Sequence, residues 1–203
     1  GLEVRGFNGD QLKLARVDST LSWWSLIHWE PRFDSIEIER PDLNVKRDQR
    51  GVVTVAGIEI GESTDGGGLS DWLLRQEEFV IRDASVTWRD EMSGAPDLAL
   101  KDVNFRLEND GGDHRFGLRA KPPREIATPL DLRGDLTGST VRDLAQWNGR
   151  LFAQLDYTDI AAWRAWVKFP VYVPHGLGAV RAWVRLRNGE LAEVTADVQL
   201  SQV

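Results

Sequence analysis

Apolar and polar residues alternate with a period of two through most of this chain. In residues 36–57, IEIERPDLNVKRDQRGVVTVAG, Ile36 and Ile38 point one way. Pro41 breaks the run, a charged turn closes at Gly51, and Val53 and Val55 resume the alternation. The same pattern returns over 79–88, 98–107, 116–120, 130–136, 151–157 and 180–200. Each run reads as a strand with one apolar face. The connections are mostly short, so consecutive strands are expected to pair as antiparallel neighbours. Asn188-Gly189 is the strongest hairpin signal, and 109–115, NDGGDHR, reads as a second turn. Arg133-Gly134-Asp135 predicts a bulge or bend, because glycine inside a strand often marks one. The expected fold is mainly β, a predominantly antiparallel, strongly curved sheet of about ten strands with a few short helices.

The alternation assigns one face to Leu98, Leu100, Val103, Phe105, Leu107, Phe116, Leu118, Leu130, Leu132, Leu151, Leu155, Val180, Val184 and Leu186. The step from Leu100 to Val103 slips by one residue, which predicts a bulge near Lys101-Asp102. Three segments break the period of two. Residues 69–76 predict a helix capped at Ser70 or Asp71, 140–147 one presenting Val141, Leu144 and Trp147, and 158–167 one presenting Ile160, Trp163, Trp166 and Val167. The run 21–29, LSWWSLIHW, fits either a strand or a short helix. Residues 61–68, GESTDGGG, predict a flexible crossing between an N-terminal strand group, 1–60, and a second group, 69–203.

Composition narrows the function. The chain has 203 residues, a net charge of -7, 41% hydrophobic content and no cysteine. This excludes disulfides and thiolate metal sites, and it argues against nucleic acid as a partner. No run approaches the ~18 apolar residues that span a bilayer. The chain begins within a strand-like segment, as a piece excised from a longer protein would. Gly66-Gly67-Gly68 lacks the Gly-Lys-Ser/Thr ending of a phosphate loop. His28, His114 and His175 stand apart from one another and predict surface or turn positions. Asp83, Asp90 and Asp97 are expected at strand ends, solvating loops. No cofactor, metal site or enzymatic constellation is expected. The nine tryptophans are the unusual feature. They suit core and rim packing, or the edge of a trough facing both hydrocarbon and water.

An antiparallel sheet with one apolar face must bury it on another sheet, on helices or on a ligand. Three short helices cover little, and a curled sheet would leave a trough whose natural occupant is an acyl chain. Two stretches carry a family resemblance beyond this: RPDLNVKRDQRG (40–51) and IRDASVTWRD (81–90). With LKDVNFRLENDGGDHRFGLRAKPP, LDLRGDLTG and the closing GLGAVRAWVRLRNGELAEVTADVQLSQV, nearly the whole chain resembles the large AsmA-like proteins of the YhdP type. The resemblance implies a fragment of a periplasmic protein of Gram-negative bacteria, held in the inner membrane by an N-terminal anchor. It implies an open, taco-like β-groove that conducts phospholipids between inner and outer membranes. The fourteen residues above would then line the groove. The partners would be acyl chains, adjacent groove segments of the same protein and, through the anchor, the membrane. The competing reading is a non-enzymatic periplasmic scaffold whose sheet is closed by a second one. A carbohydrate-processing β-protein using scattered Asp and Trp residues is a weaker third.

Overall fold

The computed structural model describes residues 2–5, 11–14, 16–21, 33–60, 69–124, 126–140, 143–159, 162–166 and 177–201. The glycine-rich run 61–68, most of the apolar run 21–29, His28 and His175 lie outside these. The described residues form one open mixed sheet of fourteen strands. The first seven are β1 (Leu2–Arg5), β2 (Gln11–Leu14), β3 (Arg16–Leu21), β4 (Phe33–Glu39), β5 (Asp42–Arg47), β6 (Val53–Val55) and β7 (Ile58–Ile60). After helix α1 (Leu69–Leu73) come β8 (Glu78–Asp90), β9 (Leu98–Asp110), β10 (Asp113–Lys121), β11 (Leu130–Thr137), β12 (Asn148–Asp159), β13 (Leu177–Arg187) and β14 (Glu190–Ser201).

From β8 to β14 each strand pairs antiparallel with the next, as the short connections predict. The Asn188-Gly189 hairpin forms, with both residues at positive φ (51° and 72°) as a tight two-residue turn of this kind requires. The sheet is predominantly antiparallel, as expected, and the exception among the described strands is at β8. Its outer edge pairs in parallel with β4 and then with β5. The register keeps a constant offset, Ile36 opposite Phe79 and Arg47 opposite Asp90, so β4 and β5 act as one strand interrupted at Arg40-Pro41. This parallel pairing joins residues 33–60 and the group beginning at 69 into one sheet.

The interruption belongs to a line crossing three strands. Arg40 (φ 49°), Asp83 (φ 53°) and Asp102 (φ 47°) all adopt the left-handed conformation. In β8 two residues separate Ile81 from Ala84 while one separates their partners Phe105 and Val103. In β9 the extra residue lies between Leu100 and Val103, where the slip in the alternation placed it. β4–β5 and β8 each carry the insertion at the same level, so their mutual register survives it. Beside this line Pro41, Ala84, Val103 and Ala120 are all buried, and Ala84, Val103 and Ala120 form one of the two buried clusters. Aligned bulges bend a sheet sharply, and small side chains let its walls approach. The result is a crease.

Two further expectations fail. β11 runs through Gly134 with unbroken register on both sides, so there is no bulge. Gly134 instead makes room for a ring, since a Cβ there would lie 2.1 Å from Phe116. Of the three predicted helices α1 is an α-helix; the described parts of the other two carry 3₁₀ turns at Leu144–Gln146 and Ala162–Ala165, while Val141, Ile160 and Val167 lie outside the described residues. β12 claims Thr158 and Asp159 by pairing with β13, and sheet pairing outweighs the marginal stability of a two-turn helix.

Candidate functional site

Register makes the shared face explicit. One row across the sheet runs Leu107, Phe116, Gly134, Leu151, Val184, Val194. The next runs Phe105, Leu118, Leu132, Ala153, Ala182, Ala196, and a third Ala120, Leu130, Leu155, Val180, Val198. Leu98 and Leu100 face Trp88 and Val86 beyond the crease, Val103 faces Ala84, and Leu186 faces Gly149. All fourteen sequence-selected residues therefore lie on one face. Strands β4, β5 and β8 extend it with Ile36, Ile38, Leu43 and Val45 beside Phe79, Ile81, Val86 and Trp88. Phe105 stands between Phe79 and Phe116 at centroid distances of 6.4 and 6.3 Å.

Each long side of this face has a lip built on tryptophan. At one, Trp163 is buried against Leu98 and Ala127, with Trp88, Leu100, Ile126, Leu155 and Trp166 around them. Its indole nitrogen donates to Thr158 Oγ1 at 2.7 Å, and that of Trp166 donates to the Pro96 carbonyl at 2.8 Å. The segment carrying Ala127 is tied down where Tyr157 N donates to Thr128 Oγ1 (2.9 Å) and Thr128 N to the Tyr157 carbonyl (2.7 Å). Leu155, which alternation alone would put in mid-trough, is thus covered by this lip. Here too Arg47 and Asp90 meet. Arg47 Nε donates to Asp90 Oδ1 at 2.9 Å, a second guanidinium nitrogen bonds Oδ2, and the amides of Met92 and Ser93 also donate to the carboxylate. Asp90 ends β8 and accepts from the following loop, as expected, but departs from expectation in being buried and paired with Arg47. The hydrogen bond from Arg47 holds its carboxyl below the usual carboxylate range, against the opposing effect of burial. Asp83 departs from expectation differently, since it sits inside β8 at the crease.

At the opposite lip Trp147 stacks on His114 with centroids 5.3 Å apart, and its indole donates to the Thr140 carbonyl at 2.7 Å. His114 is buried within β10, so its expected surface position is corrected. Its Nδ1 lies 2.6 Å from Asn109 Oδ1 and its Nε2 2.9 Å from the Gly138 carbonyl. The Asn109 amide nitrogen donates to the carbonyls of Leu73 and Gln76, which fastens α1 to this edge. The period-two pattern does not report these lips; the tryptophans carried the general reading of core, rim or trough edge, and His114 was visible only as a type. Between the lips, Leu132, Leu151, Ala153, Ala182 and Val184 are half-buried. Among the described residues no element stacks over them, since the main contacts between elements are those of paired strands and of α1 with β7.

The other face is charged. Arg82 pairs with Glu37, Arg106 with Glu78 and Glu108, and Arg119 and Arg133 with Asp131. The guanidinium of Arg133, then that of Arg119, holds the Asp131 carboxyl low despite partial burial. These residues surround a concavity of about 750 Å³ that the alternation did not announce. Among the described residues no group of three His, Cys, Asp or Glu side chains is placed to hold a metal ion. No described helix is long and apolar enough to cross a membrane.

Comparison with family models matches the YhdP protein family over residues 1–203. The chain belongs to the YhdP family. Membership suggests a cell-envelope protein connected with lipid transport. Searches of curated proteins and of solved structures each return no significant match.

Proposed function

We propose that this YhdP-family segment carries phospholipid acyl chains along its apolar face, as part of a periplasmic protein anchored in the inner membrane and conducting lipid between the two membranes of Gram-negative bacteria. The observation that supports this best is an apolar face continuous through the register from β4 to β14, walled by a lip on each side and, among the described residues, uncovered between them. Acyl chains need no directional polar contacts. Each methylene moved from water onto such a face contributes about 0.8 kcal/mol. The role is non-enzymatic and needs no cofactor, metal or nucleic acid. Adjacent segments of the same protein would extend the trough from the open edge of β14, where Leu191, Val194 and Val198 are exposed on the apolar side.

The test is organic extraction of the purified protein followed by mass spectrometry, on the parent and on Leu132→Asp and Val184→Asp. Both positions lie in the uncovered section, where water can reach a new carboxylate. The expected result is co-purified phospholipid in the parent and much less in folded variants. Absence of lipid from repeated parent preparations would leave the envelope-scaffold reading instead.

A further inference from the structure

On the charged face, we infer that Gly117 and the four arginines around it form a cradle for a phosphate group. Gly117 lies in β10, opposite Arg106 of β9 on one side and Arg133 of β11 on the other. Arg115 and Arg119 flank it two residues away on its own strand, so all four side chains rise from the same face. Neighbouring strands are about 4.8 Å apart and alternate residues about 6.8 Å apart along a strand. Four flexible guanidinium groups can therefore converge above one point.

That point is empty of side chain. Gly117 does not adopt a left-handed conformation, and a Cβ built on it meets nothing within 4 Å. Neither backbone geometry nor crowding accounts for a glycine here, unlike Gly134, whose absent side chain is replaced by Phe116. What the glycine leaves is a floor, and Gly117 and all four arginines line the 750 Å³ concavity.

The arginines are held and not neutralised. Asp131 is shared by Arg119 (3.2 Å) and Arg133 (2.9 Å), and Arg106 reaches Glu78 (2.6 Å) and Glu108 (2.9 Å). Among the described residues Arg115 has no carboxylate partner. With Arg82 and Glu37 counted, five guanidinium groups and four carboxylates line the concavity, Asp135 lies opposite Arg115 in the register, and each guanidinium has five N–H donors, more than these bonds use. A compact oxyanion with several acceptor oxygens matches this donor set, and phosphate is the chemistry arginine forks bind best. The surplus is local, because the chain as a whole carries a net charge of -7. Ile81, Phe105, Phe116 and Leu118 also border the concavity, but the arginines rise from the face opposite the apolar rows, so the inference does not require acyl-chain binding.

Two sources carry this chemistry, free phosphate and a lipid headgroup, and the test separates them. Inorganic phosphate is titrated at low ionic strength and followed by ³¹P line broadening. Vesicles containing phosphatidylglycerol are followed by co-sedimentation. Gly117→Leu fills the floor without changing any charge, and the free space above it predicts an unchanged melting temperature. Arg115→Gln removes the unpaired cation. Arg181→Gln, on the same face but outside the ring, is the control. Each of the first two variants should weaken binding of at least one probe about tenfold, the usual effect of losing one charge-assisted contact, and Arg181→Gln less than twofold. Sensitivity to Gly117→Leu with both probes assigns the site to phosphate generally; with vesicles alone, to the headgroup. Equal losses in Gly117→Leu and Arg181→Gln, or no measurable binding of either probe to the parent, would overturn the cradle.

Discussion

The crease and the C-terminal hairpin carry the same alternation, and their apolar residues face the same way, yet their surroundings are opposite. At the crease Ala84, Val103 and Ala120 are 0%, 4% and 1% exposed; in β14 Leu191, Val194 and Val198 are 66%, 60% and 46% exposed. Hydrophobicity does not separate them, for the exposed residues are the larger. Curvature does. Inserted residues in β4–β5, β8 and β9 bend the sheet until side chains of neighbouring strands converge. β13 and β14 pair without interruption from Leu177 to Arg185, so their face stays open. β14 also has strand β13 on one side only. Burial in this sheet therefore follows both where extra residues are inserted and how many strands flank a position.

The contrast is sharpest if a charge is placed in each region. Val103→Asp should cost about 3 kcal/mol or more, because the crease offers the carboxylate neither water nor a partner. Val198→Asp should cost under about 1 kcal/mol. Urea titrations of both variants check this, and equal losses would mean that the crease is hydrated. A smaller difference is expected from added volume. Ala84→Leu overpacks a residue with no exposed surface and should cost about 1–3 kcal/mol. Ala196→Leu, exposed on the same face, should change stability by less than about 0.5 kcal/mol. Thermal melts beside the parent decide, and a tolerant Ala84 would show that the crease can open.

The smallest expected effect concerns ion pairs. The folded-state pKa of Asp90 is depressed, chiefly by its hydrogen bond with Arg47. Its stabilisation is therefore present above the unfolded carboxylate value, about 3.9, and is lost as pH falls from there through the folded value. Asp90→Asn should lower the melting temperature at pH 7 and reduce its further fall between pH 4 and pH 2. On the hairpin, Arg185 and Glu193 approach to 3.3 Å with side chains 49% and 58% exposed. Glu193→Gln should shift the melting temperature little at pH 7, as exposed pairs contribute about 0–1 kcal/mol. Identical acid profiles for Asp90→Asn and the parent would remove Arg47–Asp90 as an anchor of that lip.

Strand positions, the Asn188-Gly189 and Gly111-Gly112 turns and the sidedness of the fourteen apolar residues could all be read from the chain, because they follow from local alternation and turn chemistry. So could the bulge at Asp102, since a slipped alternation with both halves still apolar has one economical explanation. The equivalent slip from Ile81 to Ala84 was present in the same form, and reading it would have exposed the crease from sequence. Other features could not be read this way. The parallel pairing of β4–β5 with β8 joins residues 43 positions apart, and no local pattern distinguishes a parallel from an antiparallel neighbour. The burial of His114 and Asp90 depends on partners brought from other strands, as do the lips that cover Leu155 and hold Trp147. The ring of arginines around Gly117 exists only once β9, β10 and β11 lie side by side in one register. The period of two determined which way each side chain points. Tertiary structure alone decided what it meets there, because in a bent single sheet the distance between side chains depends on strand order and on where extra residues are inserted.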